Sequence, residues 1–481
     1  MTAVEPAPTA GTSYVEDPRR WRILATVQVL GFMSLLDVSI VNVALPSIRS
    51  DLAISTETAQ WVVSGYTLAF GLTLVASGRL GDAYGRRRML LIGLGAFVAS
   101  SMLVGLAPTP ELLIAARLAQ GAAAGILSPQ STGLIQQLFR GAERARAFGR
   151  FGLTISLSSA VGPLIGGLIL GVAGGPEGWR WIFWVNVPIG LIALVAIART
   201  LPAKPRVPDA DGRVDVPGAL LLGLSVLCLL YPLVGARSGI GWSMLLAPTA
   251  VLVGWAFLRW ERHTQAAGRP PLLDVALLRR LPGYGIGIAV GATYVTAFTG
   301  ITLVLSVHLQ EGRSLGPLET GLLLTPLAVG AAVIAPVASR GLGVLGRRIT
   351  VLALLVMLAA TLATALAVPG RGDTALWWVL VPLLLVAGLG GGAVIPPNFT
   401  LTLAEVPPAM GGAAAGVVQT AQRIGASLGS ALLMTAYGLG GPDPGQALRV
   451  ALLVAVVVLL LALALAVGAA RAGRRTPVSG G

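Results

Sequence analysis

Gly78-Arg-Leu-Gly-Asp-Ala-Tyr-Gly-Arg-Arg-Arg88 is a short, strongly charged stretch set between two long apolar runs. Gly85 permits a tight turn at a helix end, because a residue without Cβ is free to adopt a positive φ. Asp82 can accept hydrogen bonds from neighbouring arginines or from a helix N-terminus. Arg86, Arg87 and Arg88 set three fixed cations at the edge of the next apolar run. The stretch reads either as a topogenic charge cluster at a membrane surface or as a charge latch that closes in one conformational state and opens in another.

The apolar runs recur along the whole chain. Of its 481 residues, 55% are hydrophobic and 11% are charged, against about 25% charged in a typical soluble domain. Mean hydropathy is +0.82. A soluble protein of this length exposes too much surface to hide that much apolar material. Composition therefore excludes a soluble enzyme, a disordered chain and a secreted disulfide scaffold, and points to an all-α polytopic membrane protein. Cys228 is the single cysteine, and His263 and His308 are far apart, so no internal disulfide and no metal site are expected. Lys204, the only lysine, lies outside any Walker A pattern, so no ATP-hydrolysing loop is present. The expectation is a non-enzyme with no catalytic residues and no cofactor.

Runs long enough to span a membrane, roughly 20 residues each, number fourteen: 21–45, 59–79, 89–107, 111–131, 147–171, 181–200, 216–236, 244–260, 284–309, 318–338, 348–367, 377–399, 411–437 and 446–469. The net charge of +14 is spread in small clusters between these runs. With the N-terminus placed in the cytoplasm, 26 basic residues fall in cytoplasmic segments and 6 in outer ones, as the positive-inside rule requires. Nucleic-acid binding is therefore not implied, and both termini are expected in the cytoplasm. Trp21, Trp61, Trp179, Trp181, Trp184, Trp260, Trp377 and Trp378 lie near span ends, where an aromatic belt belongs. His308, at the end of span 9, reads as interfacial.

The chain also repeats itself. Gly121 to Gln130 lines up with Gly388 to Pro397 at an offset of 267, which also pairs Gly149 with Gly416 and Gly162 with Gly429. Arg79 to Arg87 resembles Arg340 to Arg348 at an offset of 261. Spans 9–14 thus read as a copy of spans 1–6, with spans 7 and 8 inserted. The expected organisation is a tail at 1–20, a six-helix bundle at 21–200, a linker with two inserted helices at 201–280, a second bundle at 281–470 and a tail at 471–481. A substrate path is expected between the bundles. In the second copy of the charged loop Gly343 stands where the first has Asp82.

Gly-x-Leu-x-Asp-x-x-Gly-Arg-Arg at 78–87 resembles the loop signature of the major facilitator superfamily. Leu36-Asp-Val-Ser-Ile-Val-Asn-Val-Ala-Leu-Pro46, Gln60-Trp-Val-Val-Ser-Gly-Tyr66, Arg117-Leu-Ala-Gln-Gly121, Gly162-Pro-Leu-Ile-Gly-Gly167 and Gly178-Trp-Arg-Trp-Ile-Phe-Trp-Val-Asn-Val-Pro-Ile-Gly190 are similar to motifs of its fourteen-helix drug:proton antiporter branch. The resemblance covers about residues 20 to 470. It implies two six-helix bundles plus two inserted helices, and proton-coupled export by alternating access. It also implies an antiporter motif at Gly162, Pro163, Gly166 and Gly167 and a cytoplasmic gating loop at Gly78, Asp82, Gly85, Arg86 and Arg87. The branch shows Arg-Gln in span 13, where this chain has Gln422-Arg423.

An ionisable group inside a span is costly and hence a functional candidate. Asp37 is the only acid deep in a span, and Arg117 lies at comparable depth in span 4. The pair reads as a proton-coupling site in which a proton on Asp37 alternates with the Arg117 contact; a purely structural pair is the alternative. Arg423, near the middle of span 13, either faces the cavity or serves as a structural cation. Asn42, Tyr66, Gln120 and Arg423 are the candidate cavity residues. Small residues in span 5, with Pro163 as a kink, suggest close packing or a seal between bundles.

The resulting expectation is a monomeric proton-coupled antiporter in a bacterial cytoplasmic membrane that exports amphipathic organic compounds such as drugs or antibiotics. Its partners are that small-molecule substrate, protons and the lipid bilayer. The alternatives are a proton-coupled uptake symporter for a metabolite and a non-transporting membrane sensor or lipid-binding protein.

Overall fold

The computed structural model describes residues 17–202, 215–235, 246–267, 280–368 and 373–472. The predicted tails lie mostly outside that range, as do Lys204, Arg206, Arg213, Arg237, Arg269, Arg279, Arg371, Arg474 and Arg475. All regular secondary structure among the described residues is helical. In chain order they form α1 (Arg20–Asp51), α2 (Thr56–Tyr84), α3 (Arg86–Leu106), α4 (Pro110–Leu138), α5 (Gly141–Ala173), α6 (Arg180–Trp184), α7 (Asn186–Thr200), α8 (Val216–Gly235) and α9 (Leu246–Ala266). They continue with α10 (Pro282–Val307), α11 (Pro317–Leu345), α12 (Arg348–Ala367), α13 (Asp373–Gly392), α14 (Ile395–Thr402), α15 (Gly411–Leu439) and α16 (Pro444–Ala472).

Local chemistry sets several boundaries. Ser55 Oγ accepts from the Thr58 amide and Thr109 Oγ1 from the Leu112 amide, capping α2 and α4, and Pro110 occupies the first turn of α4. Gly85, with φ +95°, is the single residue between α2 and α3. Gly346, 261 residues on, has φ +53° between α11 and α12.

Eleven segments are long and apolar enough to cross a membrane among the described residues, against fourteen predicted. The other three predicted spans form α8, α9 and α15. The strongly apolar part of α8 is short, Pro217–Leu229. α9 ends in Arg259, Glu261 and Arg262, and α15 carries Gln419, Gln422 and Arg423 because one of its faces meets protein rather than lipid. Predicted span 181–200 is broken after Trp184, and span 377–399 after Gly392. α5 runs unbroken through residue 163.

The repeat is visible in the packing. A side chain at Gly121 would strike the Tyr66 carbonyl, and one at Gly388 the Leu327 carbonyl. Gly125 abuts Phe70 and Gly392 abuts Ala331 in the same way. Within each pairing the residues are related by the offsets 267 and 261 found in the sequence. Gly149 against Pro336 and Gly416 against Val75 repeat the relation across the seam between the halves.

One core gathers Ile23, Leu30, Tyr66, Phe97 and Ile197 from the first half. Another gathers Val304, Leu354, Met357, Leu384 and Leu459 from the second. A third is shared: Phe148 and Phe151 of α5 pack with Phe399 of α14 and Val418 of α15, the Phe148 and Phe399 rings 5.7 Å apart. It lies at the end of the molecule that carries the α2–α3 loop, here called the loop face. The α8–α9 pair lies along the seam, with Val226 against Leu68 and Ile424, and Phe257 against Val75 and Val417.

Candidate functional site

Asp37, Arg117, Gln120 and Asn186 come from α1, α4 and α7, and each is at most 2% exposed. Arg117 Nη1 donates to Asp37 Oδ2 at 2.6 Å and to Gln120 Oε1 at 2.7 Å, while its Nε donates to the Val62 carbonyl at 2.9 Å. The other carboxylate oxygen, Oδ1, accepts from Gln120 Nε2 and Asn186 Nδ2, both at 3.0 Å. Gln120 Nε2 also reaches Ser101 Oγ at 2.7 Å. The guanidinium carbon of Arg117 stands 4.4 Å over the Tyr66 ring, whose hydroxyl donates to the Ser34 carbonyl at 3.0 Å.

A buried ion pair survives only when its remaining donors and acceptors are satisfied, and this network does that for both carboxylate oxygens. It leaves one carboxylate deep in the first half, held by three side-chain donors.

The structure thus joins Asp37 and Arg117, as the sequence suggested. It places Gln120 and Tyr66, two of the candidate cavity residues, as buried members of this network. Asn42, one turn further along α1, is exposed and stands apart from it. Asn186 and Ser101 were missed. The signal for Asn186 was an amide inside an apolar run, as the first residue of α7 just past the break at Trp184.

The loop of residues 78–88 forms a second constellation. Asp82 Oδ2 accepts from the Ala413 amide at 2.9 Å and Oδ1 from the Gly412 amide at 3.2 Å. These are free N–H groups of the first turn of α15, so a carboxylate of the first half caps a helix of the second. Arg86 Nη2 holds Asp82 Oδ1 at 2.7 Å and lies 3.5 Å from the Pro408 carbonyl. Gly78 lies so close to Gly412 that a Cβ there would strike its carbonyl. Arg87 does not cross the seam: Nη2 donates to the Ala198 carbonyl of α7 at 2.7 Å. Gly343, the counterpart of Asp82, faces open space.

Further polar contacts cross the seam from α4. Ser128 Oγ touches Gln419 Oε1, Gln419 Nε2 donates to Thr132 Oγ1 at 3.2 Å, and Gln136 Nε2 donates to the Leu403 carbonyl at 2.6 Å. Ser128, Thr132 and Gln136 recur every fourth residue, so they share one helix face.

The small residues of the span 5 motif pack closely within the first half. Gly162 packs against Ser39 and Gly166 against Ile40, both of α1 in the same half, and Gly167 has nothing near its Cβ position. The crossing contacts of α5 lie nearer the loop face, at Gly149 against Ser339 and Gly152 against Pro396. Nothing beyond continuous helical backbone is described at Pro163. Arg423 stands over Phe70, its guanidinium carbon 4.4 Å from the ring centre. His308, expected at the interface, is fully buried in a π-helical turn, with Nδ1 3.5 Å from the Tyr437 hydroxyl.

Two pseudo-repeated helical halves, the first holding a buried charged network, define a multi-pass membrane transporter. The family model described as Major Facilitator Superfamily matches residues 29–430 and 301–480, and the chain belongs to that superfamily. It is 37% identical over 442 residues to the probable actinorhodin transporter of Streptomyces coelicolor, covering 91% of this chain and 74% of that one. It is 37% identical over 425 residues to the puromycin resistance protein pur8 of Streptomyces alboniger, covering 87% and 82%. The tetracenomycin C resistance and export protein of Streptomyces glaucescens is 32% identical over 428 residues, covering 86% and 75%. Among solved structures, the human organic anion transporter MFSD10 (TETRAN) superposes with TM-score 0.70 at 18% identity over 94% of this chain and 100% of that one. The proton:xylose symporter XylE gives TM-score 0.60 at 17% identity, covering 92% and 94%. At such identities the likeness is one of fold.

Proposed function

We propose that this protein is a fourteen-span proton-coupled antiporter that exports amphipathic organic compounds across a bacterial cytoplasmic membrane, working as a monomer. The observation that carries the reading is the buried Asp37 network: a single carboxylate, held by releasable donors, beside helices that meet the other bundle. The names of the relatives, which concern antibiotic transport, resistance and export, support the direction of transport. In this reading the loop face and both termini are cytoplasmic, and α8 and α9 are an insertion between two six-helix bundles. The conformation is then closed toward the cytoplasm, with Asp82 capping α15 as the latch of that closure.

The proton gradient supplies the drive. It is worth about 2.3 kcal/mol per charge per 100 mV and about 1.4 kcal/mol per pH unit. Protonation of Asp37 frees Arg117, and the rearrangement of α1, α4 and α7 that follows alternates access. The test is solute uptake by inside-out proteoliposomes that carry an acidic lumen. Uptake that collapses on addition of an uncoupler supports the proposal. Uptake with the same dependence in the opposite sense identifies a symporter, and no uptake in either sense identifies a non-transporting protein.

A further inference from the structure

Arg423 lies on the stripe of α15 that faces the first bundle. The stripe runs Gly412, Gly416, Gln419, Arg423, at spacings of four, three and four residues. Every member before Arg423 is engaged across the seam: Gly412 with Asp82, Gly416 against Leu74 and Val75, Gln419 with Ser128 and Thr132. Arg423 comes next, one turn further from the loop face than Gln419, at the seam where α15 meets Phe70 of α2. Its side chain is half-buried, with the guanidinium carbon 4.4 Å over the Phe70 ring.

The guanidinium has five donors and keeps its charge. Arg117 answers the same demand with Asp37, Gln120 and the Val62 carbonyl, and Arg86 answers it with Asp82. Among the described residues no carboxylate and no hydrogen-bond acceptor reaches the guanidinium of Arg423; its contact is the face of Phe70. The buried acid of the first half is committed elsewhere: Asp37 is held by three donors. Asp37, Arg117 and Arg423 together therefore leave one positive charge uncompensated. A cation–π contact fixes where the fork sits and leaves its N–H edge free for a partner.

The geometry points to Arg423 as an anion-recognition residue, and we infer that the exported solute is an amphipathic organic anion: an apolar body carrying one ionised oxygen acid. The inference rests on the antiport reading above and deepens it. Phe70 continues to the proton site, because its ring stacks on Tyr66 at 6.2 Å and Tyr66 carries Arg117. Arg117, Tyr66, Phe70 and Arg423 thus form one column between the proton-binding group and the proposed anion. The charge movement follows. A proton moving in and a monoanion moving out both carry positive charge inward, two charges per cycle against one for a neutral solute and none for a monocation.

The test uses the purified full chain in inside-out proteoliposomes with three matched probes: pyrene-1-carboxylate, its neutral carboxamide and pyrene-1-methylammonium. Uptake is followed by fluorescence with the pH gradient imposed and the potential clamped by potassium and valinomycin. The expected result is carboxylate uptake at least tenfold faster than either other probe, and faster still when the lumen is made positive. Arg423→Gln is expected to remove the preference for carboxylate over carboxamide, and Arg423→Lys to keep part of it. Equal or faster uptake of the carboxamide or the cation, no uptake of the carboxylate, or an unchanged preference in Arg423→Gln overturns the inference. If Arg423→Gln does not fold, judged by its elution profile, the wild-type response to potential decides alone. Failure of the antiport reading looks different: the carboxylate exchanges with itself in counterflow, still preferred over the carboxamide, while no pH gradient drives it.

Discussion

Arg117 Nη1 and Asp37 Oδ2 are 2.6 Å apart, and neither side chain is more than 1% exposed. Two opposite charges at that distance, removed from water, are bound to each other's ionisation state. In the proposed cycle the pair alternates between joined and parted arrangements. Its partners Gln120 and Asn186 are neutral amides that also hold the carboxylate.

Neutralising Asp37 should uncouple transport from the proton. Asp37→Asn keeps the shape and loses the titratable group, so uptake driven by a pH gradient should fall at least tenfold. Exchange of labelled for unlabelled solute at equal pH, which needs no net proton movement, should persist. Both are measured in proteoliposomes, and gradient-driven uptake at the wild-type rate would remove Asp37 from the coupling step.

Removing Arg117 should cost stability before it costs anything else. Breaking a buried pair from one side destabilises by roughly 3–5 kcal/mol, because the other charge is left uncompensated. Arg117→Gln should therefore lower the thermal midpoint of the detergent-solubilised protein. Asp37→Asn/Arg117→Gln should recover most of that loss while remaining unable to use a pH gradient. A double variant no more stable than Arg117→Gln would show that the pair is not an isolated unit.

The sequence made Asp37 and Arg117 legible because charge in an apolar run is conspicuous, and helical rise placed them at one depth. The pseudo-repeat was legible for a similar reason: Gly121 and Gly388 are tied to positions where helix backbones touch. What composition did not mark were the neutral partners. Asn186, Ser101 and Gln419 carry no charge, and their significance depends on which helix face meets which neighbour. Tyr66 and Gln120, candidate cavity residues in the sequence, are buried partners of the charge pair. The thirteenth span shows the same limit, since α15 is polar where it meets α2 and α4, and a hydropathy window counts that face as if it met lipid.

Asn186 should act on the proton site through position. Its amide donates to Asp37 Oδ1 at 3.0 Å from the first turn of α7, and a hydrogen bond to a charged group is worth about 1.5–3 kcal/mol. Asn186→Ala should slow gradient-driven uptake by about tenfold or more and leave the solute concentration for half-maximal uptake nearly unchanged. Asn186→Gln, too long for the site, should not rescue it. A change confined to half-maximal concentration would place Asn186 in solute binding.

The contact of Asp82 with α15 should set how long the loop face stays closed. Its carboxylate meets two free amides of a helix N-terminus, Gly412 and Ala413, across the seam. In the proposed cycle that pairing belongs to the closed arrangement alone, which makes its energy differential between the two states. Asp82→Asn weakens it by about 1–2 kcal/mol, which shifts a two-state ratio by roughly 5–30-fold. Gly78 tests the same closure by a different force. Any larger side chain there meets the Gly412 carbonyl, and a helix backbone cannot yield as a flexible side chain can, so Gly78→Val should hold the loop face open outright. Spin labels on the loop-face ends of α2 and α15 read both effects as distance distributions. Asp82→Asn should add a longer-distance population, Gly78→Val should leave it as the main one, and both should reduce uptake by tenfold or more. A short-distance population unchanged in Gly78→Val would mean that the two helices do not separate during transport.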